Sequence, residues 1–285
     1  MRSPSCASLL LIALSWTQLP NQAGSFKFAV VGNSGTGKPS QYELADRMAS
    51  FREGFKYDAV ILLGGNVPGD ARPGDFIKKF EAPYKRLLDA GVTFHAALGD
   101  EDSRDSRYYK NFNMKGNLYY AFEPRPDLQF LALDSSDVNS AQIAWLEGKL
   151  TASKSPWKIV YLHHPLYSSS RQQAANRALR QQLEPLFVKH NVSAVLSAHD
   201  TVYERTRPQN GITYFVVGSG GAVKQGAIDR TSGLTAAGFD TDLAFLAAEV
   251  AGDQLHFTAV SRTGQTVDSG VLARRNSRSA AATVF

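Results

Sequence analysis

Cysteine is nearly absent from this chain of 285 residues. The only one is Cys6, so no intramolecular disulfide can form and a cysteine-based zinc site is excluded. A strong charge of one sign is also lacking, because 31 basic and 26 acidic residues give a net charge of +5. The basic residues are scattered along the chain, and scattered charge does not mark a nucleic-acid surface. We therefore expect no nucleic-acid partner.

Long hydrophobic runs are missing as well. The longest apolar stretch, Ala7–Trp16, follows the basic Arg2 and precedes a polar region that ends at Ala23. This stretch is too short to cross a bilayer but has the layout of a secretory signal peptide. We interpret residues 1–23 as a signal peptide cleaved near Ala23, and we expect an exported protein without a membrane anchor. The alternative, a buried helix, is disfavoured because the stretch has no helical periodicity.

The remaining composition is that of a soluble globular protein, with 43% hydrophobic and 20% charged residues. No repeat and no long linker divides the chain, so we predict one domain over residues 24–272. Residues 273–285 contain three arginines and no apolar period, and we expect them to form a loose tail.

One pattern recurs from Phe26 onward: a short apolar run stops at a polar residue or glycine, and a helical or loop segment follows. The runs are Phe26–Val31, Ala59–Leu63, Val92–Leu98, Trp157–Leu162 and Val192–Ala198. Helices are predicted over Gln41–Phe51, Asp75–Ala90, Ser140–Ser153 and Gln172–His190. The alternation predicts an α/β fold with a largely parallel sheet, in which ligands bind at the carboxyl ends of the strands.

The pattern changes after the apolar run Tyr214–Gly218. Three further apolar segments, Leu243–Val250, Gln254–Ser261 and Thr266–Leu272, are separated by short turns that contain glycine. Such spacing is typical of antiparallel hairpins. We expect these hairpins to close a second sheet.

Histidines and carboxylates stand at three of the predicted strand ends. His163 and His164 follow the fourth run, His199 follows the fifth, and Asp100 lies in the acidic segment Gly99–Asp102 after the third. Two histidines and one carboxylate form a known ligand set for a divalent transition metal. Taken alone, the acidic segment is more typical of a solvated turn.

The segment Gly32–Pro39 nearly spells a phosphate-binding P-loop and follows a strand as such a loop does. A P-loop needs serine or threonine after its lysine to hold magnesium, and Pro39 occupies that position here. Proline also removes a backbone donor. We interpret the segment as a glycine-rich turn into a helix.

The segments around these strand ends resemble the calcineurin-like phosphoesterase (metallophosphoesterase) family, especially its exported, purple-acid-phosphatase-like branch. The resemblance runs from about Phe26 to Ser261 and is densest in Val31–Gly37, Tyr161–Ser169 and His199–Arg205. It implies a two-sheet α/β/β/α sandwich with a two-metal site across the strand ends. It also implies a hydrolase of phosphate esters.

The same resemblance shows that ligands of the first metal and of the bridge are lost, because Asn33, Gly65 and Thr201 occupy their positions. The second metal keeps donors at Asp100, His163 and His199. Without the lost carboxylates, the repulsion between two dications is not neutralised. We therefore expect one divalent metal, Mn, Zn or Fe, and no second one.

On this reading, the catalytic candidates are Glu101, which would protonate the leaving oxygen, and His164, which would hold phosphate. Asn33 and Asn66 are the candidate substrate-binding residues. The predicted function is slow, mononuclear hydrolysis of a small-molecule phosphate ester. The sequence leaves open an alternative, a catalytically inactive pseudophosphatase that serves as an exported binding or scaffold protein.

Overall fold

The computed structural model describes residues 24–170 and 173–275, so the expected signal peptide lies outside the described residues. In these residues the chain forms thirteen strands arranged in two sheets. The strands of the first sheet are β1 (Phe26–Val31), β2 (Ala59–Leu63), β3 (Thr93–Ala97), β11 (Ala244–Ala251), β12 (Gln254–Ser261) and β13 (Thr266–Ala273). Those of the second are β4 (Tyr120–Arg125), β5 (Leu128–Ala132), β6 (Trp157–Tyr161), β7 (Ala194–Ser197), β8 (Tyr203–Thr206), β9 (Thr213–Val217) and β10 (Thr235–Phe239).

Both sheets are mixed: one half of the first sheet is parallel, and the second has a parallel centre with antiparallel strands on both sides. The first sheet has the order β13-β12-β11-β1-β2-β3, and the second has the order β10-β8-β9-β7-β6-β5-β4. Strands β1, β2 and β3 are parallel, with Phe28 opposite Ala59 and Ile61 opposite His95. Strands β5, β6, β7 and β9 are parallel to one another as well. The carboxyl ends within each parallel group therefore lie on one side.

Helices cover the outer faces of both sheets. They are α1 (Pro39–Phe55), α2 (Pro73–Phe76), α3 (Lys85–Asp89), α4 (Ser140–Ala152) and α5 (Gln173–Lys189), with a π-helix at Ile77–Glu81 and 3-10 turns at Arg104–Tyr108 and Lys110–Phe112. Proline at the first position of α1 fits its start, since the amide hydrogen missing there has no helical partner. The predicted helix over Asp75–Ala90 is broken into α2, the π-helix and α3.

The core has three apolar layers, one between the sheets and one under the helices on each side. Phe28 and Phe130 meet edge-on between the sheets with ring centroids 5.1 Å apart. Leu44 of α1 packs on the outer face of the first sheet, and Leu146 and Leu183 pack on that of the second. This arrangement confirms the predicted α/β/β/α sandwich.

The expectation that the late hairpins close a separate second sheet is wrong. Strand β11 pairs antiparallel with β1, with Phe26 opposite Val250, so the hairpins extend the first sheet. All eight residues of β11 are buried, and they cover the edge that β1 would otherwise expose. The second sheet instead gains β4, β5, β8 and β10, four strands that the apolar pattern did not predict.

The chain stays in the fold beyond residue 272, into the segment expected to be a loose tail. Arg274 donates its backbone N–H to Asp253, and the buried Arg275 donates to the carbonyls of Val192 and Asn210. The rest of that segment, 276–285, lies outside the described residues. In the described ranges, no helix has both the length and the apolar character needed to span a bilayer.

Candidate metal centre

Loops from both sheets meet at one edge of the sandwich. After β1, Gly32 donates its N–H to the carbonyl of Val217 at 2.8 Å, and after β7, Ala198 donates to the carbonyl of His163 at 2.9 Å. Gly64, after β2, has a φ of +88°, and a Cβ there would collide with the His163 ring. The strand ends of the two sheets are thus held against each other, and glycine is required where they touch.

Four side chains at this edge offer metal-ligand atoms that all lie within 4.8 Å of one another: Asp100, His163, His164 and His199. The ring of His199 lies 5.3 Å from that of His163 and 4.6 Å from that of His164, between centroids. His163 is buried, whereas the side chain of Asp100 is 47% exposed. The group therefore opens to solvent on the Asp100 side.

His163 is held in one orientation by the end of β2. Its Nδ1 donates a hydrogen bond to the carbonyl of Leu63 at 2.8 Å, and its Nε2 lies 3.1 Å from Oδ1 of Asp100. This hydrogen bond lowers the pKa of Asp100 well below its ordinary value, although burial opposes it. With Nδ1 donating to the carbonyl of Leu63, Nε2 meets Oδ1 of Asp100 either through a shared proton, as in this hydrogen bond, or through a metal ion that both atoms bind.

His199 has a backbone φ of +59°, in the left-handed region, directly after β7. Its Nδ1 lies 3.4 Å from Oδ1 of Asp200. This contact raises the pKa of His199 above its ordinary value, against burial, and the charges of Asp100 and Glu101 add to the effect. Asp200 therefore orients the ring through Nδ1, as carboxylates that accept a hydrogen bond from a metal-binding histidine do.

Asp200 is itself buried and fully engaged. Its Oδ2 accepts hydrogen bonds from the hydroxyls of Ser168 and Ser170. Burial acts to raise the pKa of Asp200, but the hydrogen bonds from His199, Ser168 and Ser170 outweigh it and hold the pKa below its ordinary value. The carboxylate is thus kept charged behind His199.

His164 is fixed by Ser135, which follows β5. The Ser135 hydroxyl oxygen accepts the backbone N–H of His164 at 2.9 Å and lies 3.0 Å from its ring Nδ1. Burial, with the charges of His163 and His199, lowers the pKa of His164 to about 4. Next to Ser135, Asp134 forms a 2.8 Å ion pair with the half-exposed Arg104.

Asp102 ties together two of the loops that form the site. Its carboxylate accepts the backbone N–H groups of Asn66, Val67 and Gly99 at 2.8 to 3.1 Å. Burial raises the pKa of Asp102, and the three hydrogen bonds oppose this rise. Asp102 therefore supports the site from within the protein and does not face the cluster of donors.

We expect Asp102→Ala to lower the free energy of unfolding by about 3 kcal/mol or more, because three buried N–H groups lose their acceptor. Urea unfolding followed by circular dichroism measures the change. Asp70→Ala is the matched control, since Asp70 forms an ion pair with Arg72 at an exposed position. A loss below about 1 kcal/mol, the scale of a surface pair, would contradict this role for Asp102.

The three positions at which the resemblance implies lost metal ligands are Asn33, Gly65 and Thr201. Asn33, with φ +51°, donates its side-chain N–H groups to the carbonyls of His199 and Gly218 at 3.1 and 2.9 Å. Gly65 has φ +64°, and a Cβ there would lie 2.8 Å from Cα of Asn33. Thr201 accepts the backbone N–H of Lys224 with its carbonyl.

The remaining predicted site residues are not brought into the cluster. Asn66 is buried, and its amide donates to the carbonyl of Ala97 at 2.7 Å. The amide of Asn33 likewise donates to backbone carbonyls. We therefore interpret both asparagines as residues that hold loops in place. Glu101 is exposed at the mouth of the site, where its carbonyl accepts the N–H of Gly69.

The glycine-rich segment after β1 does not form a phosphate cradle. The backbone N–H groups of residues 35–38 all donate within the protein, that of Gly37 to the Gln41 side chain at 2.7 Å. Pro39 begins α1 directly afterwards. With its donors already used, the segment serves as a turn, as the sequence predicted.

Sequence reasoning missed Ser135 and the supporting role of Asp200. Ser135 follows β5, a strand that the apolar pattern did not predict, so no sequence pattern placed it near His164. Asp200 does have a signal, because an acidic residue directly after a candidate metal-binding histidine can hydrogen-bond to the ring and orient it.

The profile of the family described as "Calcineurin-like phosphoesterase" matches residues 26–203, which include all four residues of the cluster. The chain belongs to the calcineurin-like phosphoesterase family. Its membership confirms the resemblance read from the strand-end segments. One relative in Arabidopsis thaliana, 25% identical over 231 residues, is described as Fe(3+)-Zn(2+) purple acid phosphatase 12.

Purple acid phosphatases are among the curated relatives that this chain matches. Tartrate-resistant acid phosphatase type 5 of Mus musculus is 31% identical over 238 residues, covering 69% of this chain and 72% of the mouse protein. Purple acid phosphatase 5 of Arabidopsis thaliana is 24% identical over 193 residues, covering 66% of this chain. The match spans only 47% of the plant protein, about half its length.

Among solved structures, GAP50, described as the anchor in the inner membrane complex of Plasmodium, has a similar fold. The TM-score is 0.77 at 20% identity, with 88% of this chain and 90% of GAP50 covered. At that identity the likeness concerns the fold alone.

Proposed function

We propose that this phosphoesterase hydrolyses phosphate esters with a single divalent metal ion held by Asp100, His163 and His199. The contact that carries the proposal is the 3.1 Å approach of His163 Nε2 to Asp100 Oδ1. Since Nδ1 of His163 donates to a carbonyl, a cation belongs between these two atoms. His199 supplies a third donor, which a metal ion uses and a shared proton does not.

The donor set suits a transition metal. Imidazole nitrogen and carboxylate oxygen together bind Zn²⁺, Fe²⁺ or Mn²⁺. A divalent ion bound there would supply Lewis-acid polarisation of the phosphoryl group and acidify a coordinated water. With a divalent ion bound, the single carboxylate of Asp100 would leave a net positive charge at the site, which favours an anionic substrate.

We propose a single-ion site because the first-metal positions hold Asn33 and Gly65. Asn33 turns N–H groups, not oxygen, toward the carbonyls of His199 and Gly218. Without bridging carboxylates, a second dication about 3.5–4 Å away would be strongly repelled. The loss of its charge stabilisation predicts slow turnover.

Glu101 is the residue that we propose to donate a proton to the leaving oxygen. It lies at the exposed mouth of the site, close enough to His199 for its charge to contribute to the raised pKa of that ring. An exposed carboxyl can reach an alcohol that leaves toward solvent.

We also propose that the protein is exported after cleavage near Ala23, which N-terminal sequencing of the secreted protein tests.

The proposed function is tested by metal analysis together with turnover. Purified protein should contain about one equivalent of metal, and added Mn²⁺ or Zn²⁺ should support hydrolysis of p-nitrophenyl phosphate or its bis-ester. Protein that carries about one equivalent but hydrolyses neither ester would contradict the enzyme proposal. It would instead support the inactive, ligand-binding alternative.

We expect Glu101→Gln to lower kcat on phenyl phosphate by about 10²–10⁴-fold, the usual contribution of a general acid. The loss should be much smaller with p-nitrophenyl phosphate, because p-nitrophenolate leaves without protonation. Glu53→Gln, an exposed change on α1, is the control and should leave both rates unchanged. Equal losses on the two substrates would contradict an acid role for Glu101.

A further inference from the structure

The three histidines of the site share one arrangement. In each ring Nδ1 lies next to a protein oxygen: the Leu63 carbonyl for His163, the Asp200 carboxylate for His199, and the Ser135 hydroxyl for His164. Metal-binding histidines typically donate from one ring nitrogen to such an oxygen and bind the ion with the other. By this criterion His164 is presented in the same way as the two expected ligands.

Ser135 can serve His164 as a hydrogen-bond acceptor. Its hydroxyl oxygen already accepts the backbone N–H of His164, and the same oxygen lies 3.0 Å from Nδ1. A serine oxygen has two lone pairs, so it can accept the ring N–H as well. The lone pair of the neutral ring is then on Nε2.

The position of the His164 ring also fits a ligand. Its centroid is 4.6 Å from that of His199 and 5.0 Å from that of His163, and its ligand atom belongs to the group that lies within 4.8 Å. Ligand atoms around a tetrahedral zinc ion with bonds of about 2.0–2.1 Å lie about 3.4 Å apart. Inward shifts of about 1 Å, within reach of small side-chain rotations, would bring all four into contact with one ion.

We propose that His164 is a fourth ligand of the metal, which makes the resting centre a closed, tetrahedral site of three histidines and one aspartate. This inference rests on the single-metal site proposed above and adds a residue to it. Four protein ligands are typical of closed zinc sites, whereas an open catalytic site keeps three. The set favours Zn²⁺ over Mn²⁺, which prefers more oxygen ligands.

A closed resting site changes how substrate enters. If the four side chains held one ion, a phosphate ester would have to displace His164 or bind as an additional ligand. The expected consequence is a tightly held metal combined with slow turnover. His164 thereby determines which metal is bound and how easily the ion is reached.

The test compares metal binding in His164→Ala with wild type by competition with a chromophoric zinc chelator. We expect zinc affinity to fall by at least about 10-fold. In the Co²⁺-loaded protein, the intense visible absorption of four-coordinate cobalt should weaken as water replaces the ring. His256→Ala, on β12 and hydrogen-bonded to Gln254, is the matched control and should change neither reading.

A second pair of variants keeps the histidine and changes its support. Ser135→Ala should lower zinc affinity by about 10-fold, because the His164 ring loses the hydroxyl that orients it. Ser135→Thr keeps a hydroxyl and should bind zinc about as tightly as wild type. Thermal melting of the metal-free proteins identifies any variant that does not fold. If His164→Ala folds and binds zinc as wild type does, with an unchanged cobalt spectrum, His164 is not a ligand and the three-ligand site stands. If wild type itself binds no metal, the proposed function fails as well.

Discussion

Replacing His199 with asparagine is expected to remove the bound metal. His199 is one of the proposed ligands, and its ligand atom belongs to the group of donors within 4.8 Å. Asparagine is the substitution of choice because the backbone there has a φ of +59°, which asparagine tolerates better than alanine. The metal content should drop from about one equivalent to near background, and hydrolysis should fall with it.

The measurement is elemental analysis of protein purified from metal-supplemented medium, followed by a phosphatase assay. His256→Asn is the matched control, because His256 lies on β12 and its ring forms a hydrogen bond with the side chain of Gln254. If His199→Asn keeps the metal content of wild type, the ion is held elsewhere. Loss of metal in both variants would point to destabilisation rather than to the removal of a ligand.

Replacing Asn33 with aspartate, the residue that the family resemblance implies for this position, is expected to destabilise this protein. Asn33 donates to the carbonyls of His199 and Gly218, so Asn33→Asp places a carboxylate oxygen against two acceptors. Two hydrogen bonds are lost and a charge is left without a donor. We expect the free energy of unfolding at pH 7 to fall by about 3 kcal/mol or more.

The loss should depend on pH in a defined direction. The new carboxyl would have a pKa raised in the folded state, because only its protonated form can donate to a carbonyl. The variant should therefore come closest to wild-type stability below about pH 4, the unfolded value, and lose stability as pH rises through the folded pKa. Urea unfolding at several pH values measures this.

The control for this substitution is Asn139→Asp, which makes the same chemical change at the N-cap of α4. Its side-chain oxygen accepts the N–H of Gln142, and aspartate caps a helix as well as asparagine does. A change below about 1 kcal/mol is expected there. Should Asn33→Asp be equally well tolerated, the first-metal position is more adaptable than its hydrogen bonds indicate, and a two-metal site would have to be reconsidered.

The sequence predicted the strand ends well, since a strand buried on both faces has a nearly continuous apolar run. The run Ala59–Leu63 corresponds to β2 without change, and Trp157–Leu162 to β6 within one residue. Strands with mixed patterns were missed: β4, Tyr120–Arg125, is only partly buried and contains a proline. The alternation of apolar and polar residues does not identify a strand whose side chains are only partly buried on both faces.

The partners of each side chain could not be read from the sequence. Asn33 and Asn66 were plausible phosphate ligands as residue types, but their amides point to backbone carbonyls. His164 and Ser135 lie 29 positions apart and meet only because β5 and β6 are neighbours in the sheet. Such contacts depend on register and on loop geometry, which local residue patterns do not encode.

The amino-acid sequence by itself determined the α/β class and several strand ends, and it made Asp100, His163 and His199 the candidate donors. It could do so because burial dictates apolar runs and because metal-ligand chemistry is restricted to a few residue types. Only the tertiary structure decided that β11 extends the first sheet, that Asn33 is hydrogen-bonded to the backbone, and that a ligand atom of His164 lies within 4.8 Å of those of His163 and His199. These outcomes follow from hydrogen bonds and packing between segments distant in the chain, and such contacts exist only once the two sheets have come together.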